Sequence, residues 1–176
     1  MFLLERKYRE GLQAAESLPD DLLAPFPGIL SGKYYLAGVA RKALQDESGA
    51  REAFVKARTV AENQLQQTPD DADMRGYLAR VLAWLGEKDA ALMEVQRAME
   101  LRPESKDALD GPKITEAAAE VHTILGDRGG AIEILEGLLS RPSFVTVQIL
   151  RINPIWDPLR SDPRFQALVQ KYAGKA

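Results

Sequence analysis

Apolar residues in the middle of this chain recur at helical spacing. Leu78, Leu82 and Leu85 fall on one face, joined by Val81, and a second run carries Leu92, Val95, Met99 and Leu101. Gly86-Glu87-Lys88-Asp89 separates the two runs and predicts a tight helix-to-helix turn, with Gly86 in the left-handed conformation that ends a helix. Each run spans about 14 residues, an ordinary helix length, so the pattern predicts an antiparallel helix pair closed by Pro103. Proline is absent between Pro27 and Pro69, between Pro69 and Pro103, and between Pro112 and Pro142. A proline inside a helix costs ~3 kcal/mol, so these gaps are where long helices can run. The only β-branched cluster, Val145-Thr146-Val147, is too short and isolated to pair as a strand. The chain reads as all-α.

The pair then recurs. Gly126-Asp127-Arg128-Gly129 joins a helix over Pro112–Leu125 to one over Gly130–Ser140, and Pro142 closes that pair. Upstream, Asp46-Glu47-Ser48-Gly49 joins a helix around Leu30–Leu44 to a longer one over Ala50–Gln67, closed by Pro69. Ala50, Ala91 and Ala131 follow the three turns at intervals of 41 and 40, and Gly11 lies 39 before Ala50. A fixed period of this size marks a stacked array, in which each unit buries its face only against its neighbours. Helices that cross at about 8–10 Å need Gly or Ala at the contact, which assigns Ala79, Ala91 and Ala119 to such crossings.

Residues Ala72 to Ser105 resemble a tetratricopeptide repeat: Arg75, Leu78-Ala79, Leu82, Ala91, Val95, Ala98 and Pro103 occupy its characteristic places. The next unit carries Thr115, Ala118-Ala119, His122, Ala131, Leu135 and Pro142 there, and the preceding one Tyr34, Ala37-Gly38, Arg41, Ala50, Phe54 and Ala57. The preceding unit departs by delaying its proline to Pro69, about two further helical turns. The phrases Ser105–Pro112 and Pro154–Phe165 are similar to the repeat array at the carboxyl end of bacterial signalling proteins. There the array follows serine/threonine kinase, adenylate-cyclase or winged-helix regulator domains. Those domains are missing here, so none of their activity carries over.

The resemblance implies a right-handed α-solenoid of about four helix pairs. It divides into an N-terminal half-repeat and loop (1–29), three repeats (30–69, 70–105, 106–143) and a C-terminal cap (144–176). In the cap, Asp162 suits an N-cap and Pro163 a first helical residue, while Phe165, Leu168, Val169 and Tyr172 form one apolar face. At the other end, a helix over Phe2–Leu18 resembles the second half of a repeat whose first half is missing. It would leave Phe2, Leu3 and Leu4 uncovered, which predicts excision from a longer protein and self-association through this edge.

Composition narrows the chemistry. The 176 residues contain no cysteine and one histidine, so disulfides, thiolate nucleophiles, sulfur-based zinc sites and two-imidazole metal sites are excluded. Lys and Arg number 23 against 26 Asp and Glu, a net charge of −3, interspersed in a sequence with 45% hydrophobic residues. That is an ordinary solvated surface with neither a nucleic-acid footprint nor a membrane-seeking basic face. The apolar start Met1–Leu4 precedes Glu5, Arg6 and Lys7, the reverse of a signal peptide. The expected compartment is the cytoplasm, or the periplasm if the chain derives from a membrane-anchored protein.

His122 stands where the repeat wants a large packing residue, and no local motif supplies a catalytic partner. The carboxylates Asp70, Asp71 and Asp73, and Glu104, Asp107 and Asp110, lack the alternation and glycine of a calcium loop. Both sets precede helices, where carboxylates cap free N–H groups. Gly126-Asp127-Arg128-Gly129-Gly130 lacks the spacing and lysine of a phosphate loop and is a turn. Neither a metal nor a cofactor is expected, and an enzyme is the least favoured class.

In tetratricopeptide arrays the working surface is the concave groove lined by the first helices of successive units. Spacing puts Tyr35 and Lys42, then Tyr77, Arg80 and Trp84, then Glu116 and Glu120 toward it. Aromatic rings beside arginine make good anchors, and the two glutamates would repel the terminal carboxylate that chaperone-binding members hold. Tyr77 and Trp84 have two readings here: partner anchors, or packing between units. The expected function is a non-catalytic module that binds a peptide or helix in the groove. The alternatives are a regulatory tail of a larger signalling enzyme, and a small-molecule or short-peptide receptor needing a closed pocket.

Overall fold

The computed structural model describes residues 2–174; Met1 and the last two residues of the expected cap, Lys175 and Ala176, lie outside the described residues. Among the described residues the chain is all-α, with no strand. Six helices form three consecutive pairs. They are α3 (Pro27–Ala43) with α4 (Glu47–Gln67), α5 (Ala72–Trp84) with α6 (Lys88–Leu101), and α7 (Gly111–Ile124) with α8 (Arg128–Leu139). Each second helix also packs on the next first helix, α4 on α5 and α6 on α7, and α5 lies against α7. Two N-terminal helices precede them: α1 (Tyr8–Glu16), which packs on α3, and the single turn α2 (Asp20–Leu23). At the other end stand α9 (Val147–Ile152), a 3-10 helix (Pro154–Leu159) and α10 (Pro163–Tyr172). Among the described residues no helix is long and apolar enough to cross a membrane.

The turns are shorter than their sequence signature suggests. Gly86 and Gly126 hold φ values of 81° and 80°, as their lack of a side chain permits, and the second helices already begin at Lys88 and Arg128. The equivalent residue of the first hairpin is Gln45, at φ 64°. It lies 41 before Gly86, which lies 40 before Gly126, so the backbone repeats with the same interval as Ala50, Ala91 and Ala131. Asp46 and Asp127 then cap their helices, accepting from the N–H of Gly49 at 2.9 Å and of Gly130 at 3.0 Å.

Ala79, Ala91 and Ala119 are fully buried where helices meet. A tight crossing lies between α3 and α4: a Cβ on Gly38 would stand 2.6 Å from the Phe54 ring. The C-terminal segment closes α7 and α8 with a cluster that includes Leu135, Leu138, Leu150, Trp156, Leu159, Phe165 and Leu168. Each of these aliphatic and aromatic side chains contributes roughly 1.5–3 kcal/mol by leaving water. Asp162 caps α10 by accepting from Arg164 N–H at 2.9 Å, and Thr146 caps α9 at 3.2 Å.

The N-terminus corrects the expected helix over Phe2–Leu18. Residues 2–6 form turns, and helix begins only at Tyr8. Phe2 folds back on Gly11, whose missing side chain admits it: a Cβ there would lie 3.0 Å from that of Phe2. Arg6, at φ 56°, turns the chain so that its guanidinium meets Asp157.

Candidate functional site

The bond from Arg6 to Asp157 joins residues 151 positions apart in sequence. It is bidentate, Nη1 to Oδ2 at 2.6 Å and Nη2 to Oδ1 at 2.9 Å. Arg160 Nε stands on the same carboxylate at 2.8 Å, and the Arg6 hydrogen bond holds the Asp157 carboxyl below its usual range. The pair is a strap from the N-terminal turn to the 3-10 helix. Both partners remain over a third exposed, so it contributes at most ~1 kcal/mol.

Beside the strap, sharing Asp157 with it, lies a cleft of 370 Å³. Tyr35, Val39 and Lys42 of α3, Trp84 at the end of α5, and Glu120, Thr123 and Ile124 of α7 line it. Leu3 and Tyr8 close one side, and Asn153, Pro154, Ile155, Asp157 and Pro158 the other. The expected uncovered edge is thus partly covered, because Leu3 faces the cleft.

The aromatic wall follows from the α3–α4 crossing. Phe54, admitted by Gly38, stacks on Trp84 with centroids 5.6 Å apart and planes 4° from parallel. Tyr35 meets Phe54 edge-on at 6.0 Å and Tyr77 at 5.7 Å. Trp84 Nε1 donates to the Tyr35 hydroxyl at 3.3 Å. Burial, with Glu120 adding to it, pushes the Tyr35 phenol up to about 12, so it stays a neutral donor. Tyr77 lies outside the cleft and donates to the Ser31 carbonyl, packing between units. Trp84 is shared between the two: its ring stacks on Phe54 and also lines the cleft.

A second hollow, of 300 Å³, adjoins the cleft through Glu120. Its lining comes from α5 and α7: Asp73, Gly76, Arg80, Lys113, Ile114, Glu116, Ala117 and Glu120. Arg80 Nη1 donates to Glu120 at 2.8 Å. Burial, reinforced by Glu120, pushes the Glu116 carboxyl up to about 7 although Arg80 opposes the shift. Of the seven residues expected on one surface, four line the cleft (Tyr35, Lys42, Trp84, Glu120). Arg80 and Glu116 line the hollow beside it, and Tyr77 supports the wall from behind. The strap had no local signal, since a contact between residues 151 apart arises from the path of the whole fold.

The other candidates have structural partners. His122 Nδ1 lies 2.7 Å from Asp127 Oδ2, while the other oxygen of Asp127 caps α8. Asp71 caps α5, accepting from Met74 N–H at 3.0 Å. The second acidic set divides its work: Asp107 accepts from Asp110 N–H at 2.8 Å, and Glu104 receives both Arg141 nitrogens at 2.7 and 2.6 Å. Contrary to the expected capping role, Asp110 makes no side-chain cap on α7 and pairs with Lys113 at 2.5 Å. Among the described residues no group of three or more metal-ligating side chains converges. No protein-family model, curated protein or solved structure matches this chain.

Proposed function

We propose that this chain is a non-catalytic binding module of the tetratricopeptide type, a right-handed superhelix that holds a short segment of a partner protein in the strapped cleft. The carrying observation is the cleft itself: aromatic rings and a phenol, the carboxylates of Glu120 and Asp157, and an exposed ion pair at its rim through Asp157. At 370 Å³ it is at the small end for binding pockets, suited to two or three side chains and too small for a helix. The segment enters extended, with an apolar side chain against Trp84 and a polar group on the Tyr35 hydroxyl. The Arg6–Asp157 strap also favours a second reading, a receptor for a short free peptide, because it limits the length that can lie in the cleft.

Trp84→Ala is a poor test, since the ring stacked on Phe54 is also core. Tyr35→Phe keeps the ring and removes the hydroxyl; Arg6→Gln releases the strap. Calorimetric titration with N-acetylated tetrapeptide amides is expected to find binders that lose about 5- to 10-fold affinity on Tyr35→Phe, the value of one hydrogen bond. Arg6→Gln should speed dissociation. Binders indifferent to both changes would contradict the proposal.

A further inference from the structure

The hollow between α5 and α7 extends the binding reading, and its role depends on the cleft receiving a peptide segment. Five charged side chains line the hollow, and four have an opposite partner: Arg80 with Glu120 at 2.8 Å, Asp73 with Arg102 at 2.7 Å, and Lys113 with Asp110 at 2.5 Å. Glu116 alone makes no hydrogen bond or ion pair with another described residue. Arg80 does not bridge to it: one guanidinium nitrogen is spent on Glu120, and its buried Nε has no acceptor. The lining sums to two cations against three carboxylates, leaving one negative charge unmatched. The hollow meets the aromatic cleft at Glu120, and Arg80 lies one helical turn from Trp84.

We infer that Glu116 receives a cationic group of the bound segment, a lysine ammonium or arginine guanidinium, while the segment's apolar neighbour occupies the cleft at Trp84. A half-buried carboxylate with no cation of its own gains a charge-assisted hydrogen bond on binding, and the paired Arg80–Glu120 stays in place. An acidic group in the same position would meet Glu116 and Glu120 together. The charged groups facing Glu116 are Asp73 and Arg80 from α5 and Lys113 and Glu120 from its own helix, so the hollow prefers a proton when empty and exchanges it for the cation. Affinity for a cation therefore rises with pH through neutrality.

The test uses the full chain carrying Trp156→Phe, which leaves Trp84 as the only indole. The probes are Ac-Phe-Gly-Lys-NH2, its norleucine and glutamate counterparts, and butylamine, followed by Trp84 fluorescence at pH 6 and pH 8. At pH 8 the lysine peptide is expected to bind about ten-fold tighter than the norleucine peptide, the worth of one charge-assisted bond. The glutamate peptide should bind more weakly than both. The preference should shrink at pH 6 and vanish in Glu116→Gln. Equal affinity for the three peptides overturns the cation site and leaves the cleft reading standing. Butylamine binding as tightly as the lysine peptide overturns the peptide origin of the cation, and failure of all four probes overturns both readings.

Discussion

The first hairpin, α3 with α4, and the third, α7 with α8, share a backbone and differ in what they present. Both turn through one left-handed residue, Gln45 or Gly126, and both cap the second helix with an aspartate, Asp46 or Asp127. Both place a buried alanine, Ala50 or Ala131, in its first turn. Between the helices, however, the first hairpin packs the Phe54 ring on Gly38, whereas the third packs leucines and is sealed by Trp156. Toward the cleft the first supplies Tyr35 and Lys42, and the third supplies Glu120. The shared backbone fixes where walls stand; the positions it leaves free decide which side chains the walls present.

The largest expected effect breaks the third hairpin's seal. Trp156 is fully buried, so Trp156→Ala should cost about 3–5 kcal/mol of unfolding free energy, measured by denaturant titration. In the first hairpin the corresponding weak point is a missing atom. Gly38→Ala drives a Cβ into the Phe54 ring and should cost about 1–3 kcal/mol, whereas Gly32→Ala, in open space on the same helix, should stabilise by about 0.5–1 kcal/mol.

Next comes a pH effect confined to the α7 wall. The Glu116 carboxyl is pushed from 4.5 up to about 7 by burial, so the folded chain holds a proton that the unfolded chain has released between those values. Stability of the wild type therefore falls as pH rises through that window. Glu116→Gln removes this dependence and should be about 1–2 kcal/mol more stable than the parent at pH 8, relative to their difference at pH 4. Urea midpoints across pH check it. The smallest effect concerns the shared turn: Gln45→Gly should raise stability by about 1 kcal/mol, and Gly126→Ala should lower it by a similar amount, read from melting curves.

These contrasts explain what was legible in the sequence. Helix pairs and their small contact residues are local or periodic features, so Gly86, Gly126, Ala79, Ala91 and Ala119 announced them. The cleft's rings were legible as facing residues, but not the division of labour among them. Whether Trp84 is core or surface depends on Phe54, which stacks on it in the space that Gly38 leaves open. The strap was illegible for a simpler reason. Arg6 and Asp157 are ordinary charged residues in irregular segments, and only the cumulative path of the helices between them brings them to 2.6 Å.

The most direct test of binding in the strapped cleft is a backbone amide NMR map of the full chain titrated with Ac-Phe-Gly-Lys-NH2. The account predicts saturable shifts confined to Leu3, Tyr8, Tyr35, Trp84, Thr123 and Ile155, with Glu116 and Arg80 following at the adjoining hollow. Shifts centred instead on the exposed apolar residues Leu22, Phe26 and Ile29, with the cleft silent, would contradict it.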